Sequence, residues 1–109
     1  MNKIKIPKHI EVELYICPNQ IEGSFFGRLE AAPMNGNFRP QFYYEGDDWD
    51  CIVFSEEIEQ INVGEYSNVF VAFLSPDRHK IKLKDNQVFL LKNGQGVIGY
   101  GKIIQIIGL

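Results

Sequence analysis

A proline in the middle of an aromatic strand constrains this chain more than any other feature. Residues 37–44 read Asn-Phe-Arg-Pro-Gln-Phe-Tyr-Tyr. At the strand period of two, Phe38, Phe42 and Tyr44 fall on one face, and Arg39, Gln41 and Tyr43 on the other. Pro40 has no N–H to give to a ladder. The segment is therefore confined to a sheet edge, a bulge or the start of a strand.

The rest of the chain repeats short strand patterns separated by turn residues. Residues 9–17 alternate, with Ile10, Val12, Leu14 and Ile16 inward and Glu11, Glu13 and Tyr15 outward. Pro18-Asn19-Gln20 turns the chain. Phe25-Phe26 forms either a short strand or an apolar plug, and residues 31–36 read as a loop. Gly46-Asp47-Asp48 turns the aromatic strand into an antiparallel one over 49–55. Residues 56–65 read as a loop ending in a turn. Residues 68–74 are apolar on both sides, as in a strand buried on two faces. Residues 80–84 alternate again as a strand. Asp85-Asn86 turns into another strand over 87–92. Asn93-Gly94 is a strong hairpin signal, and a long last strand covers 97–107. Strands of this length and spacing predict an all-β fold. The expectation is one domain over residues 1–109, a single antiparallel Greek-key β-barrel of about six strands.

Several motifs carry possible chemistry. Residues 94–99, Gly-Gln-Gly-Val-Ile-Gly, match G-x-G-x-x-G. Dinucleotide binding needs a helix and a βαβ unit there, whereas β-branched isoleucines follow. The glycines fit a barrel strand better, since Gly99 and Gly101 share a face where another backbone can approach. Asp47, Asp48 and Asp50 lack the ligand spacing of an EF-hand. His9 and His79 are expected at the surface, outside any catalytic triad. Cys17 and Cys51 are expected as reduced, buried or half-buried thiols, because a zinc site needs four ligands. No P-loop occurs. No apolar run is long enough to span a membrane, and the N-terminal residues lack a secretory pattern. A cytoplasmic, non-enzymatic protein without cofactor is expected.

The net charge of −3 is unevenly spread. Residues 45–65 hold Glu45, Asp47, Asp48, Asp50, Glu56, Glu57, Glu59 and Glu65 with no Lys or Arg, while Arg78, Lys80, Lys82, Lys84 and Lys92 follow. An acidic total disfavours binding that rests on neutralising many phosphates. Lys80, Lys82 and Lys84 on one strand face read as a basic stripe or as a guard against edge pairing.

The order of these features resembles the third, C-terminal β-barrel domain of elongation factor Tu. Residues 10–16 resemble its first strand, and Phe25-Phe26 its Pro-Phe-Phe element, with Ser24 at the proline. Residues 37–44 resemble its Tyr-Arg-Pro-Gln-Phe-Tyr-Phe strand. Val63-Gly64-Glu65 looks like its Pro-Gly-Asp turn, and Leu74-Ser75-Pro76 its Ile-His-Pro. Residues 88–91 and 94–101 resemble its glycine-rich ending. The chain is thus read as a free-standing version lacking the GTPase domain. In that family the domain binds the T stem of aminoacyl-tRNA, and the resemblance places this contact at Asn93, Gly94 and Gln95. The family's Gly-Gly-Arg-His-Thr-Pro segment is reduced here to Glu22-Gly23-Ser24, and Gly96 replaces an arginine.

Two readings follow. One is a non-catalytic module that binds tRNA, other RNA or a translation component through Arg39, Gln41, Tyr43, Lys80, Lys82, Lys84, Asn93, Gly94 and Gln95. The other is an acidic protein-interaction module, of inhibitor or immunity type, without RNA binding. Phe25, Phe26, Phe38, Phe42, Tyr43, Tyr44 and Trp49 are expected to form a homodimer contact or the partner site. Without a P-loop, the chain is predicted to bind neither GTP nor GDP. Calorimetry checks this, and micromolar affinity for either nucleotide would refute it.

Overall fold

The computed structural model describes residues 5–18, 31–94 and 96–109. Eight strands occur among them: β1 (Ile10–Ile16), β2 (Ala31–Pro33), β3 (Gln41–Tyr44), β4 (Asp47–Phe54), β5 (Gln60–Asn62), β6 (Tyr66–Phe73), β7 (Val88–Asn93) and β8 (Gly96–Ile106). Six close into an antiparallel barrel in the order β1-β6-β4-β3-β7-β8, with β8 paired back to β1. Strands β3, β4 and β6 lie side by side and β1 returns beside β6, which is a Greek key. Short β2 and β5 pair separately. The described residues contain no α-helix.

Pro40 immediately precedes β3, so its missing N–H interrupts no ladder. Phe38 makes only an isolated bridge to Val53 ahead of it. The β3–β4 turn is Glu45-Gly46, one position before the expected turn, with φ of 51° and 87°. Positive φ at both central residues gives the twist that a two-residue hairpin needs. Strand β4 consequently begins at Asp47 instead of Trp49.

Three sequence expectations are corrected. Residues 80–84 are not a strand. A short 3₁₀ turn, Pro76–Arg78, is followed by further turns, with Leu83 buried and Ile81 90% exposed. The barrel already closes with six strands, so the Lys80–Ile81–Lys82 alternation has no free edge to pair with. Residues 31–36 and 56–65 are not all loop, because β2 (Ala31–Pro33) pairs with β5, which seats Ile61 in the core. Strand β6 ends at Phe73, and Leu74 lies outside it, 59% exposed.

The barrel interior is aromatic at its centre. The Phe42 ring stacks on Phe89 at 4.2 Å and meets Phe73 edge-on at 5.0 Å and Tyr44 at 5.7 Å. Offset and edge-to-face contacts of this kind add to the gain from burial. Ile10, Val12, Leu14, Val53, Val71, Leu91 and Ile103 complete the wall. Cys51 is also inside, its thiol donating to the Pro40 carbonyl at 3.3 Å. Cys17 is half-buried, and the two cysteines form no disulfide with each other.

Gly99 and Gly101 are both buried on the inner face of β8, as the sequence predicts. A Cβ at Gly99 would stand 2.6 Å from the Tyr15 carbonyl oxygen. One at Gly101 would strike the Glu13 carbonyl and stand 2.6 Å from Cζ of Phe89. Backbone atoms of β1 cannot yield without breaking the β1–β8 ladder. Gly99→Val is therefore expected to destabilise the fold by about 3 kcal/mol. Urea unfolding checks this, and an unchanged midpoint would refute it.

Candidate functional site

The barrel separates the sequence-predicted binding residues into two groups. Gln41, Tyr43, Asn93 and Gly94 come together where β3 meets β7. The Gln41 Oε1 accepts the Gly94 N–H at 3.2 Å. The Lys92 ammonium lies 4.7 Å from the Tyr43 ring centre and 3.4 Å from an Asp48 carboxylate oxygen. Arg39 lies just ahead of β3, its Nε donating to the Gly36 carbonyl at 3.2 Å. Gln95 lies outside the described residues. Lys80, Lys82 and Lys84 precede the opposite end of β7, which at six residues is about 20 Å long. Lys80 pairs with Asp77 at 3.1 Å, and Lys82 rests over Trp49. Among the described residues, no single basic track joins the two groups.

The expected aromatic patch also needs correction. Phe38, Phe42 and Tyr44 are core residues, because their strand face points into the barrel. Trp49 is half-buried against that core. Phe25 and Phe26 lie outside the described residues. Of that set, Tyr43 has its side chain on the outer face.

Strand register instead builds an outer aromatic row. Tyr66 on β6 pairs with Tyr15 on β1, and Tyr15 with Tyr100 on β8. Tyr100 pairs with Leu90 on β7, and Leu90 with Tyr43 on β3. Five neighbouring strands thus contribute one residue each, over a path of about 19 Å at the usual strand spacing. The Tyr66–Tyr15 and Tyr15–Tyr100 ring centres are 4.7 and 5.2 Å apart. The Tyr66 and Tyr100 hydroxyls meet at 3.1 Å. That hydrogen bond, with some desolvation, raises the Tyr100 hydroxyl to about 12. Tyr66 is 57% exposed and Tyr100 38%. The row is bordered by Glu65, which precedes Tyr66 in the chain, and by the cross-strand pair of Glu13 and Lys102. Alternation along residues 9–17 marks Tyr15 as outward. Its meeting with residues 51 and 85 positions further along has no counterpart in the sequence pattern.

A buried histidine cluster closes the end of the barrel where β1 begins. Both histidines are enclosed, contrary to the expectation of surface residues: His79 is fully buried and His9 is 7% exposed. The 3₁₀ turn folds His79 back onto the barrel mouth, where it stacks on Phe73 at 4.1 Å and meets the Trp49 ring at 4.6 Å. Its Nδ1 lies 2.6 Å from the Tyr44 hydroxyl. A phenol is the better donor, which assigns the ring proton to Nε2. That Nε2 is buried without a hydrogen-bond partner among the described residues. His9 Nδ1 accepts the Phe73 N–H at 2.9 Å. Burial first, then the Lys82 and His9 charges, lowers His79 to about 4. Burial, with Glu45 and Asp47 nearby, raises Tyr44 to about 12. Both are neutral near pH 7, so the pair holds the mouth together without charge. Burial also pushes the Cys51 thiol up, which keeps it protonated and unreactive.

Among the described residues, no three His, Cys, Asp or Glu side chains gather as metal ligands would. No described helix is long and apolar enough to cross a membrane. No protein-family model matches the chain.

The histidine cluster sets a pH dependence. The folded state holds His79 at about 4, below its ordinary value of 6.5. The unfolded chain therefore takes up the proton first as pH falls. This stabilisation is complete above about pH 6.5 and is lost between there and about pH 4. The urea midpoint is expected to fall from pH 7.5 to pH 5. An unchanged midpoint, or a His79 ring titrating near pH 6.5 by NMR, would refute the assignment.

Proposed function

We propose that this chain is a non-catalytic binding module that recognises a partner protein through the adjoining tyrosines Tyr66, Tyr15 and Tyr100. The observation that carries this reading is the contact of the Tyr66, Tyr15 and Tyr100 rings across three neighbouring strands. Tyrosine offers a large contact area at low side-chain entropy and keeps one polar end, which is why it is enriched at binding hot spots. The closed barrel itself leaves no free edge for strand addition, so on its wall a partner is read by side chains. Glu65 and the Glu13–Lys102 pair beside these tyrosines favour a partner with an apolar centre and a border of mixed charge.

A second reading is contact with tRNA, other RNA or a translation component. It rests on the resemblance to the elongation factor Tu third domain and on the grouping of Gln41, Tyr43, Lys92, Asn93 and Gly94. Tyrosine faces also stack on unpaired bases. The split between Lys92 and Lys80–Lys82–Lys84, together with the acidic total, weighs against a long phosphate track.

Affinity capture with the parent and a Tyr66→Ala/Tyr100→Ala variant tests the choice. Each truncation of a hot-spot tyrosine costs about 2 kcal/mol, roughly thirtyfold in Kd. The parent is expected to retain a protein partner, and the variant to lose it while keeping its thermal midpoint. Light scattering tells whether that partner is a second copy of the chain. Equal capture by both proteins, with a tRNA gel shift that Lys92→Ala abolishes, would replace the protein reading by the RNA one.

A further inference from the structure

A shallow cavity of about 120 Å³ opens at the histidine end of the barrel, lined by Tyr44, Glu45, Asp47, Trp49 and Lys82. Its chemistry differs from that of the tyrosine row. Two aromatic rings and two carboxylates face one space, and the only cation among the lining residues is Lys82. The Lys82 ammonium lies 5.7 Å from the Trp49 ring centre. Among the described residues it makes no ion pair within 4 Å, although Glu45 and Asp47 line the same space.

We propose that this cavity binds an alkylammonium group, and that Lys82 occupies the cation position in the free protein. Aromatic faces attract cations through their quadrupole, and paired carboxylates add charge to that attraction. The walls are held before any ligand arrives. His79 fixes the Tyr44 hydroxyl at 2.6 Å and packs against the edge of Trp49. The tight Glu45-Gly46 turn sets both carboxylates beside the rings. Burial first, then the Glu45 and Asp47 charges, raises the Tyr44 hydroxyl, and both carboxylates line the cavity. Lys82 stands on the irregular connection between β6 and β7, outside any strand, and can leave the ring without unpairing the barrel.

The ligand is either a free quaternary ammonium or a lysine side chain of a peptide. Trp49 is the single tryptophan, so its fluorescence reports the cavity directly. Tetramethylammonium chloride and the peptide Ac-Ala-Lys-Ala-NH2 are titrated into the parent, Lys82→Ala and Asp47→Asn, each against sodium chloride of equal ionic strength. Saturable quenching is expected, about two- to fivefold tighter in Lys82→Ala because one cation–π contact no longer competes. Asp47→Asn is expected to bind more weakly than the parent. Saturation by tetramethylammonium alone identifies a free ligand, and saturation by the peptide identifies a side chain; both support the site. Saturation seen only in Lys82→Ala also supports it, with Lys82 as an effective competitor. A response equal to sodium chloride in all three proteins overturns the proposal. So does binding that neither substitution alters. The cavity shares no residue with the tyrosine row, so failure here leaves the partner-binding reading standing.

Discussion

The close approach of β8 to β1 is the contact on which the rest of this structure depends. Gly99 faces Ile16 and Gly101 faces Leu14 across that pair. Neither position has room for a methyl group. The missing side chains let the last strand press against the first, and that pairing turns a six-stranded sheet into a closed barrel. The space above Gly101 is filled by Phe89, which in turn stacks on Phe42. One local feature of β8 thereby fixes strand closure and the centre of the core together.

The same register decides what the outside of the barrel presents. Between the two inward glycines lies Tyr100, which points outward and meets Tyr15. Tyr66 reaches the same place from the other side of β1. A slip of one residue would send these rings into the core and the glycines to the surface. The tyrosine row and the glycine seam are thus two faces of one pairing, and selection for closure does not by itself require rings outside. Closure also removes the edges that other β-domains offer to partners. On the barrel itself, binding then relies on side chains such as these or on the mouth.

The mouth is closed by chemistry unlike that of the wall. His79 and Tyr44 share a hydrogen bond out of water, and both avoid charge near pH 7. Burying them ionised would be costly, so the neutral pair is what allows a polar lid over an aromatic core. Trp49 and Lys82 lie at the outer edge of that lid, where water and ligand can reach them.

The sequence alone determined the all-β architecture, the inward face of β1 and β3, the restriction of Pro40 to an edge, a bulge or a strand start, and the role of Gly99 and Gly101. Each is a local property: alternation, a missing N–H or a missing side chain acts within a few residues. Tertiary structure alone decided the rest. Residues 80–84 alternate like a strand, yet they pack as turns because the barrel has no edge left to accept them. His79 has no sequence sign of burial, since only the fold of the 3₁₀ turn brings it under Trp49. The lysine stripe and Asn93-Gly94 look close along the chain, but β7 runs between them and holds them at opposite ends. Tyr15, Tyr66 and Tyr100 become neighbours because antiparallel register joins distant segments, and register is a property of the closed sheet.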